Sequence, residues 1–365
     1  MNRNRIGKLI LEDGSVYSGY SFGNPTSSAG EVVFTTGMVG YPESLTDPSY
    51  RGQILVCTYP LIGNYGVPDG EIQDNLYKHF ESDQIQVQGM IVSDYSENYS
   101  HWKGVKSLST WLNEQKIPAL YGIDTRAITK KLREHGVMLG KIVIEQDLEL
   151  EDFNTRNLAA EVSVKEKVVY SKNHSQSEIK VVVVDCGVKN SIIRNFLKRN
   201  ITVIRVPWNY DFTVEEYDGL FISNGPGDPK QCVITIDNIK KVINLESQQS
   251  KPIFGICLGS QLLALAAGAD TYKLKYGHRS QNQPCQELGT ESCFITSQNH
   301  GYAVDESTLP EEWEPWFRNV NDGTNEGIKH KSKPFFAVQF HPEAAPGPED
   351  LEFLFDKFIG CIKND

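Results

Sequence analysis

Hydrophobic positions in the first 150 residues fall in short alternating runs broken by turn residues. Lys8-Leu9-Ile10-Leu11, the pair Asp13-Gly14 and Ser15-Val16-Tyr17-Ser18-Gly19 together spell a β-hairpin. The same period predicts strands over 31–34, 53–58, 86–92 and 141–145. Helical spacing is confined to 107–115 and to 125–135, the latter closed by Gly136 as a C-cap. Strands outnumber helices, so residues 1–150 are read as an α+β domain.

Between 151 and 178 the pattern degrades, and Asn173-His174-Ser175-Gln176-Ser177-Glu178 has the polar composition of a linker. From 179 to 365 the pattern changes again. Strands over 180–184, 201–206, 220–223 and 252–255 alternate with helices over 189–198, 233–245 and 258–267. Runs such as Val181-Val182-Val183-Val184 fit strands buried on both faces of a parallel sheet. The second domain is therefore expected to be a doubly wound α/β domain, giving the chain a mixed α/β class.

Composition narrows the function. The 365 residues carry 36 Lys+Arg against 47 Asp+Glu, a net charge of −11, with 39% hydrophobic and 10% aromatic residues. That is the composition of a folded globular chain of about two domains. Nucleic-acid binding is not expected, because phosphate neutralisation needs clustered Lys and Arg, and the densest basic stretch is only Lys130-Lys131-Leu132-Arg133. No apolar run reaches the length of a membrane span, and Leu9-Ile10-Leu11 is too short for a signal peptide. Seven scattered cysteines without a CxxC pair predict neither a disulfide framework nor a metal site, and point to a reducing, cytoplasmic address.

In an open α/β sheet, ligands bind beyond the carboxyl ends of the strands. At one such end stands Gly255-Ile256-Cys257-Leu258-Gly259-Ser260-Gln261, with the G-x-C-x-G form of a nucleophile elbow. Most lone cysteines are buried and inert. Cys257 alone of the seven sits where glycines flank a strand-to-helix turn and the helix terminus favours an anionic sulfur. A nucleophile needs a base and the base an orienting group. His341-Pro342-Glu343 follows the apolar run Phe335-Phe336-Ala337-Val338-Gln339-Phe340, and residues two apart in an extended segment share a side, so Glu343 can lie beside His341. A third strand runs into Asn224-Gly225-Pro226-Gly227-Asp228-Pro229, whose exposed backbone amides suit an oxyanion hole.

These three motifs, in this order, resemble the signatures of the class I (triad) glutamine amidotransferases. The resemblance implies Cys257 as nucleophile, His341 as base and then acid, Glu343 as its orienting partner, and the amides of Gly227 and Leu258 as oxyanion donors. The first domain is similar to that of the carbamoyl-phosphate synthase small-chain family, through Leu11 to Gly19, Gly30 to Tyr50, Thr58 to Gly66 and Gly122-Ile123-Asp124-Thr125-Arg126. That family implies an L-glutamine pocket formed by Ser49, Gly225, Gly227, Leu258, Gln261, Asn299, Gly301 and Tyr302. It also implies a large-subunit partner in a heterodimer, which holds ATP and Mg and receives ammonia for carbamoyl phosphate, feeding arginine or pyrimidine synthesis. This chain itself has no G-x-x-x-x-G-K-[ST] loop, so no cofactor is expected on it. Tyr302 stands where many members have Phe, and Ser280-Gln281 replace small residues. His300 is read as a structural histidine beside the pocket. An amidotransferase serving another synthetase, a free-standing hydrolase and a scaffold without chemistry are the alternatives.

Overall fold

In the computed structural model, which describes residues 5–172, 177–245 and 250–363, the chain divides into two units. One comprises Met1–Glu71 and Tyr77–Thr155, the other Ile72–Leu76 and Arg156–Asp365. No helix among the described residues is long and apolar enough to cross a membrane.

The first unit is built on the predicted hairpin. Ile6–Leu11 pairs antiparallel with Val16–Ser21, and its buried positions Leu9 and Leu11 alternate with exposed ones. Seven strands close into a barrel, in the order Ile6–Leu11, Val16–Ser21, Ala119–Tyr121, Gly89–Tyr95, Gln53–Ile62, Ser28–Thr35 and Met138–Val143. Closure was not legible in the alternation, because it depends on Met138–Val143 pairing with both Ile6–Leu11 and Ser28–Thr35, far away in sequence. The predicted helices form at Leu108–Glu114 and Thr125–His135. Ser107 and Asp124 cap them by accepting the amides of Thr110 and Ala127, and Gly136 ends the second at φ 102°. A short helix, Tyr41–Thr46, and a 3-10 turn, Pro48–Tyr50, were not anticipated.

The second unit carries a ten-stranded sheet. Its core is parallel, in the order Thr202–Pro207, Lys180–Asp185, Gly219–Ile222, Ile253–Ile256, Phe335–Val338. The four valines show why helices cover both faces. Val181 and Val183 pack with Ile192, Phe196 and Phe355, whereas Val182 and Val184 pack with Ile239, Leu258 and Leu262. The two-residue period of the strand sends neighbours to opposite cores.

Two features depart from the sequence reading. The sheet is mixed rather than wholly parallel, because a long antiparallel hairpin, Asp270–Glu287 with Cys293–Asp305, extends it through Trp313–Asn319 and Asn325–His330. Polar residues dominate that hairpin and hid it. The stretch read as a linker, 151–178, is folded over much of its length. Leu158–Val162 is a helix capped by Asn157, and Val168–Tyr170 is the edge strand beside Thr202–Pro207. Both elements are too short to impose a period. Asn173 to Gln176, the centre of the linker reading, lie outside the described residues.

Phe196 is wholly buried, with ring centroids of Phe221 and Phe355 at 5.2 and 5.3 Å. Phe196→Ala should lower stability by about 3–5 kcal/mol, read as a lower urea midpoint for the second unit.

Candidate active site

Three loops at the carboxyl edge of the parallel strands supply the predicted chemistry. The first follows Ile253–Ile256. Cys257 is the N-cap of the helix Leu258–Ala267 and holds φ 56° and ψ −107°, a conformation that non-glycine residues rarely adopt. Its amide donates to the Val338 carbonyl at 2.9 Å, which fixes the turn to the neighbouring strand. The flanking glycines serve a further end beyond the turn that the motif implied. A Cβ on Gly259 would lie 2.1 Å from the Ile222 carbonyl oxygen, and one on Gly255 would lie 2.7 Å from that of Gly259. The strain therefore rests on Cys257 itself, while the glycines let helix, turn and strand touch backbone to backbone.

The second loop follows Phe335–Val338. His341 Nδ1 lies 2.6 Å from Glu343 Oε1, with both residues buried, and the His341 amide is held by the Ser297 carbonyl at 2.8 Å. His341 Nε2 has no hydrogen-bond partner among the described residues. Cys257 lies near enough to act electrostatically on this imidazole. Burial alone would lower the proton affinity of His341, but the Glu343 carboxylate and the Cys257 sulfur outweigh it and push the pKa up to about 10. Sγ of Cys257 also contacts the Asn299 carbonyl, at 3.6 Å.

The third loop, Asn224 to Pro229, needs its glycines for two reasons. Gly227 holds φ 88°, and a Cβ on Gly225 would fall 2.0 Å from the Cys186 carbonyl oxygen. Leu258 opens its helix, so its amide has no intrahelical acceptor. Gln261 is buried, and its side-chain nitrogen donates to the Tyr302 carbonyl at 2.9 Å and to Gln339 Oε1 at 3.0 Å. Asn299, Gly301 and Tyr302 lie together on the strand Cys293–Asp305. Ser49 sits in the first unit, in the 3-10 turn Pro48–Tyr50, with its amide donating to Asp47 Oδ1 at 2.9 Å.

One residue escaped the sequence reading, which used it only as the start of a helix. Lys189, 3% exposed, donates from Nζ to Glu343 Oε1 at 3.0 Å and to the Ala344 carbonyl at 2.6 Å. Burial would raise the Glu343 pKa, but Lys189 and then His341 hold it well below the usual carboxylate range. Asp185 fixes the loop that delivers Lys189. Its Oδ1 accepts the amides of Gly187 and Val188, and Oδ2 accepts the Arg205 Nε. The available signal was positional, since Asp185 to Lys189 also follow a buried strand at its carboxyl end. Among the described residues none of the remaining cysteines forms a disulfide. Burial pushes the Cys57 thiol up to about 12, while Cys293 is exposed, contrary to the expectation of a buried thiol.

Residues 9–142 match the family described as carbamoyl-phosphate synthase small chain, CPSase domain, and residues 182–361 match glutamine amidotransferase class-I. The chain is 53% identical to multifunctional protein pyr-3 of Neurospora crassa, over 97% of this chain and 21% of that protein. It is 55% identical to multifunctional protein CAD of Squalus acanthias, over 98% and 16%. Against mitochondrial carbamoyl-phosphate synthase [ammonia] of Mus musculus the identity is 54%, over 97% and 24%. The chain thus spans a quarter or less of the length of these relatives.

Removing either member of the buried ion pair strands the other charge. Lys189→Met and Glu343→Gln should each cost about 3–5 kcal/mol of stability, and the double variant should lose less than their sum in urea unfolding. The His341 proton gives stability that is complete below its ordinary value of 6.5 and lost as pH rises through about 10. The stability difference between wild type and His341→Asn should accordingly shrink with rising pH across that window.

Proposed function

Since the chain belongs to the carbamoyl-phosphate synthase small-chain family and carries a class I glutamine amidotransferase domain, we propose that it hydrolyses L-glutamine to glutamate and ammonia at Cys257. On this reading the ammonia passes to a synthetase, either a separate large subunit in a heterodimer or domains fused to the same polypeptide. That synthetase makes carbamoyl phosphate with ATP and Mg. A cytoplasmic address belongs to the same proposal. The observation that carries it is the meeting of a cysteine forced to φ 56° at a helix N-terminus with a buried His341–Glu343 pair.

The chemistry follows from the groups present. His341, whose pKa is pushed up to about 10, holds the proton given up by Cys257 on Nε2, the ring nitrogen that has no other partner among the described residues. The sulfur then attacks the carboxamide carbon of glutamine, and the carbonyl π electrons move onto oxygen. On this reading the Gly227 and Leu258 amides stabilise that negative charge. His341 returns its proton to the departing nitrogen as the C–N bond breaks, leaving ammonia and a γ-glutamyl thioester. A water molecule then gives a proton to His341 as its oxygen adds to the thioester carbon. Collapse breaks the C–S bond, the proton stays on His341 beside the released sulfur anion, and glutamate departs. Glu343 supports each stage by holding the Nδ1 proton of His341 and stabilising the imidazolium. Its own charge is kept in place by Lys189.

In this scheme Gly225, Gln261, Asn299, Gly301 and Tyr302 bind or border glutamine. Gln261 contributes chiefly by holding the Tyr302 backbone, because its side-chain nitrogen already makes two bonds inside the protein.

Cys257→Ser in the chain assembled with its synthetase should abolish glutamine-dependent carbamoyl phosphate synthesis and leave ammonia-dependent synthesis intact. Surviving glutamine-dependent activity in that variant would sink the nucleophile assignment.

A further inference from the structure

Outside the triad the second unit buries another set of ionisable groups. His278 on the strand Asp270–Glu287 stands directly opposite His300 on Cys293–Asp305, with the two rings edge to face at 4.9 Å. Glu326, on Asn325–His330, is wholly buried beneath them. Its Oε1 lies 3.2 Å from His278 Nδ1, 3.4 Å from Asn319 Nδ2 and 3.7 Å from His300 Nε2, and its Oε2 has no hydrogen-bond partner among the described residues. The other nitrogen of His278 meets Asp322 Oδ2 at 2.8 Å. His278 is thus held between two carboxylates.

An unsatisfied buried carboxylate is a poor way to add stability, because an apolar group of similar shape serves at least as well. What it does supply is a fixed charge. The connections from that charge lead to the triad. His300 Nδ1 donates to the Tyr302 carbonyl at 2.8 Å, the same oxygen that accepts Gln261 Nε2. Gln261 lies one helical turn beyond Cys257. Three residues before Tyr302, the Asn299 carbonyl touches Cys257 Sγ within hydrogen-bonding range. On the other side, the Glu326 carbonyl accepts the amide of Gln339, two residues before His341.

We propose that Glu326, with His278 as its counter-ion, is a positioning residue for the glutamine site, holding His300 so that Asn299 to Tyr302 stays fixed against Cys257 and the substrate. Asp322 completes the clamp by keeping His278 charged. Burial opposes the charge on His278, but the two carboxylates outweigh it and push its pKa up to about 9. Burial lowers the proton affinity of His300 while the Glu326 carboxylate opposes that shift; the Nδ1 proton goes to the Tyr302 carbonyl, and Nε2 faces Gln298 Oε1 at 3.2 Å and Glu326 Oε1 at 3.7 Å. This inference rests on the glutaminase reading above.

The test uses the full chain assembled with its synthetase. Glu326→Gln should raise the KM for glutamine about tenfold, the loss expected for one hydrogen bond to a charged group. Its kcat should stay within about threefold, and ammonia-dependent synthesis should not change. Asp322→Asn, at a half-exposed position, should give the same split with a smaller KM effect. An unchanged KM, or equal loss of glutamine- and ammonia-dependent synthesis, would mean a merely structural role and overturn the proposal. Nitrogen-15 NMR of the histidines provides a readout that does not depend on the variant folding. At pH 7 His278 should carry both ring protons and His300 should carry a proton on Nδ1, and a neutral His278 overturns the clamp. So does a stoichiometric metal ion in the wild type that Glu326→Gln loses, because ligand atoms of His278, His300 and Glu326 lie within 4.8 Å of one another. A wild type without glutaminase activity defeats the functional reading itself. An active wild type with an unaltered Glu326→Gln defeats only this inference.

Discussion

An ammonium and a carboxylate removed from water each depend on the other, and the second unit is organised around one such pair. Lys189 and Glu343 are 154 residues apart in sequence and 3.0 Å apart in space. Left alone, either would be an uncompensated buried charge, a penalty of several kcal/mol. Paired, they tie the loop after Lys180–Asp185 to the loop after Phe335–Val338. Glu343 then presents a fixed negative charge to His341, and the imidazole is held in one orientation with one nitrogen free to exchange a proton. Asp185 extends the arrangement backward by anchoring the loop on which Lys189 rides.

The sheet is what lets those loops meet. Parallel strands place their carboxyl ends on a common edge, and the two apolar cores on either face hold the strands in register. The nucleophile turn, the glycine loop and the His-Pro-Glu segment then become neighbours although the chain visits them at 257, 225 and 341. The antiparallel hairpin adds a further edge, carrying Asn299 to Tyr302 up to the sulfur. Two histidines and two carboxylates are buried or half-buried behind that edge, away from the predicted triad.

Much of this was readable from residues. Short alternating runs and valine repeats marked most strands to within a few positions, because side-chain period and burial are local properties. The three motifs marked the loops for a similar reason: a glycine that must admit backbone, or a histidine two residues before a glutamate, leaves a local trace. Closure of the barrel and the antiparallel extension left none, since both are decided by which distant strands pair. Lys189 was hidden for a different cause. A lysine at a helix start is usually a solvated one, and only the position of Glu343 in space shows that this one is enclosed. The glycines flanking Cys257 were recognised as marking a strand-to-helix turn, and the structure adds that no side chain fits there.

That lack of room bears on how the protein can change over evolutionary time. The height of the nucleophile above the sheet is set where Gly259 lies against the main chain of Ile222, a contact between peptide groups rather than between side chains. Peptide groups are the same in every sequence. Hydrophobic residues in either core can therefore be exchanged, and methyl groups gained or lost, without that spacing being renegotiated. A lineage can drift far in its interior while the sulfur keeps its place, provided two positions never acquire a side chain.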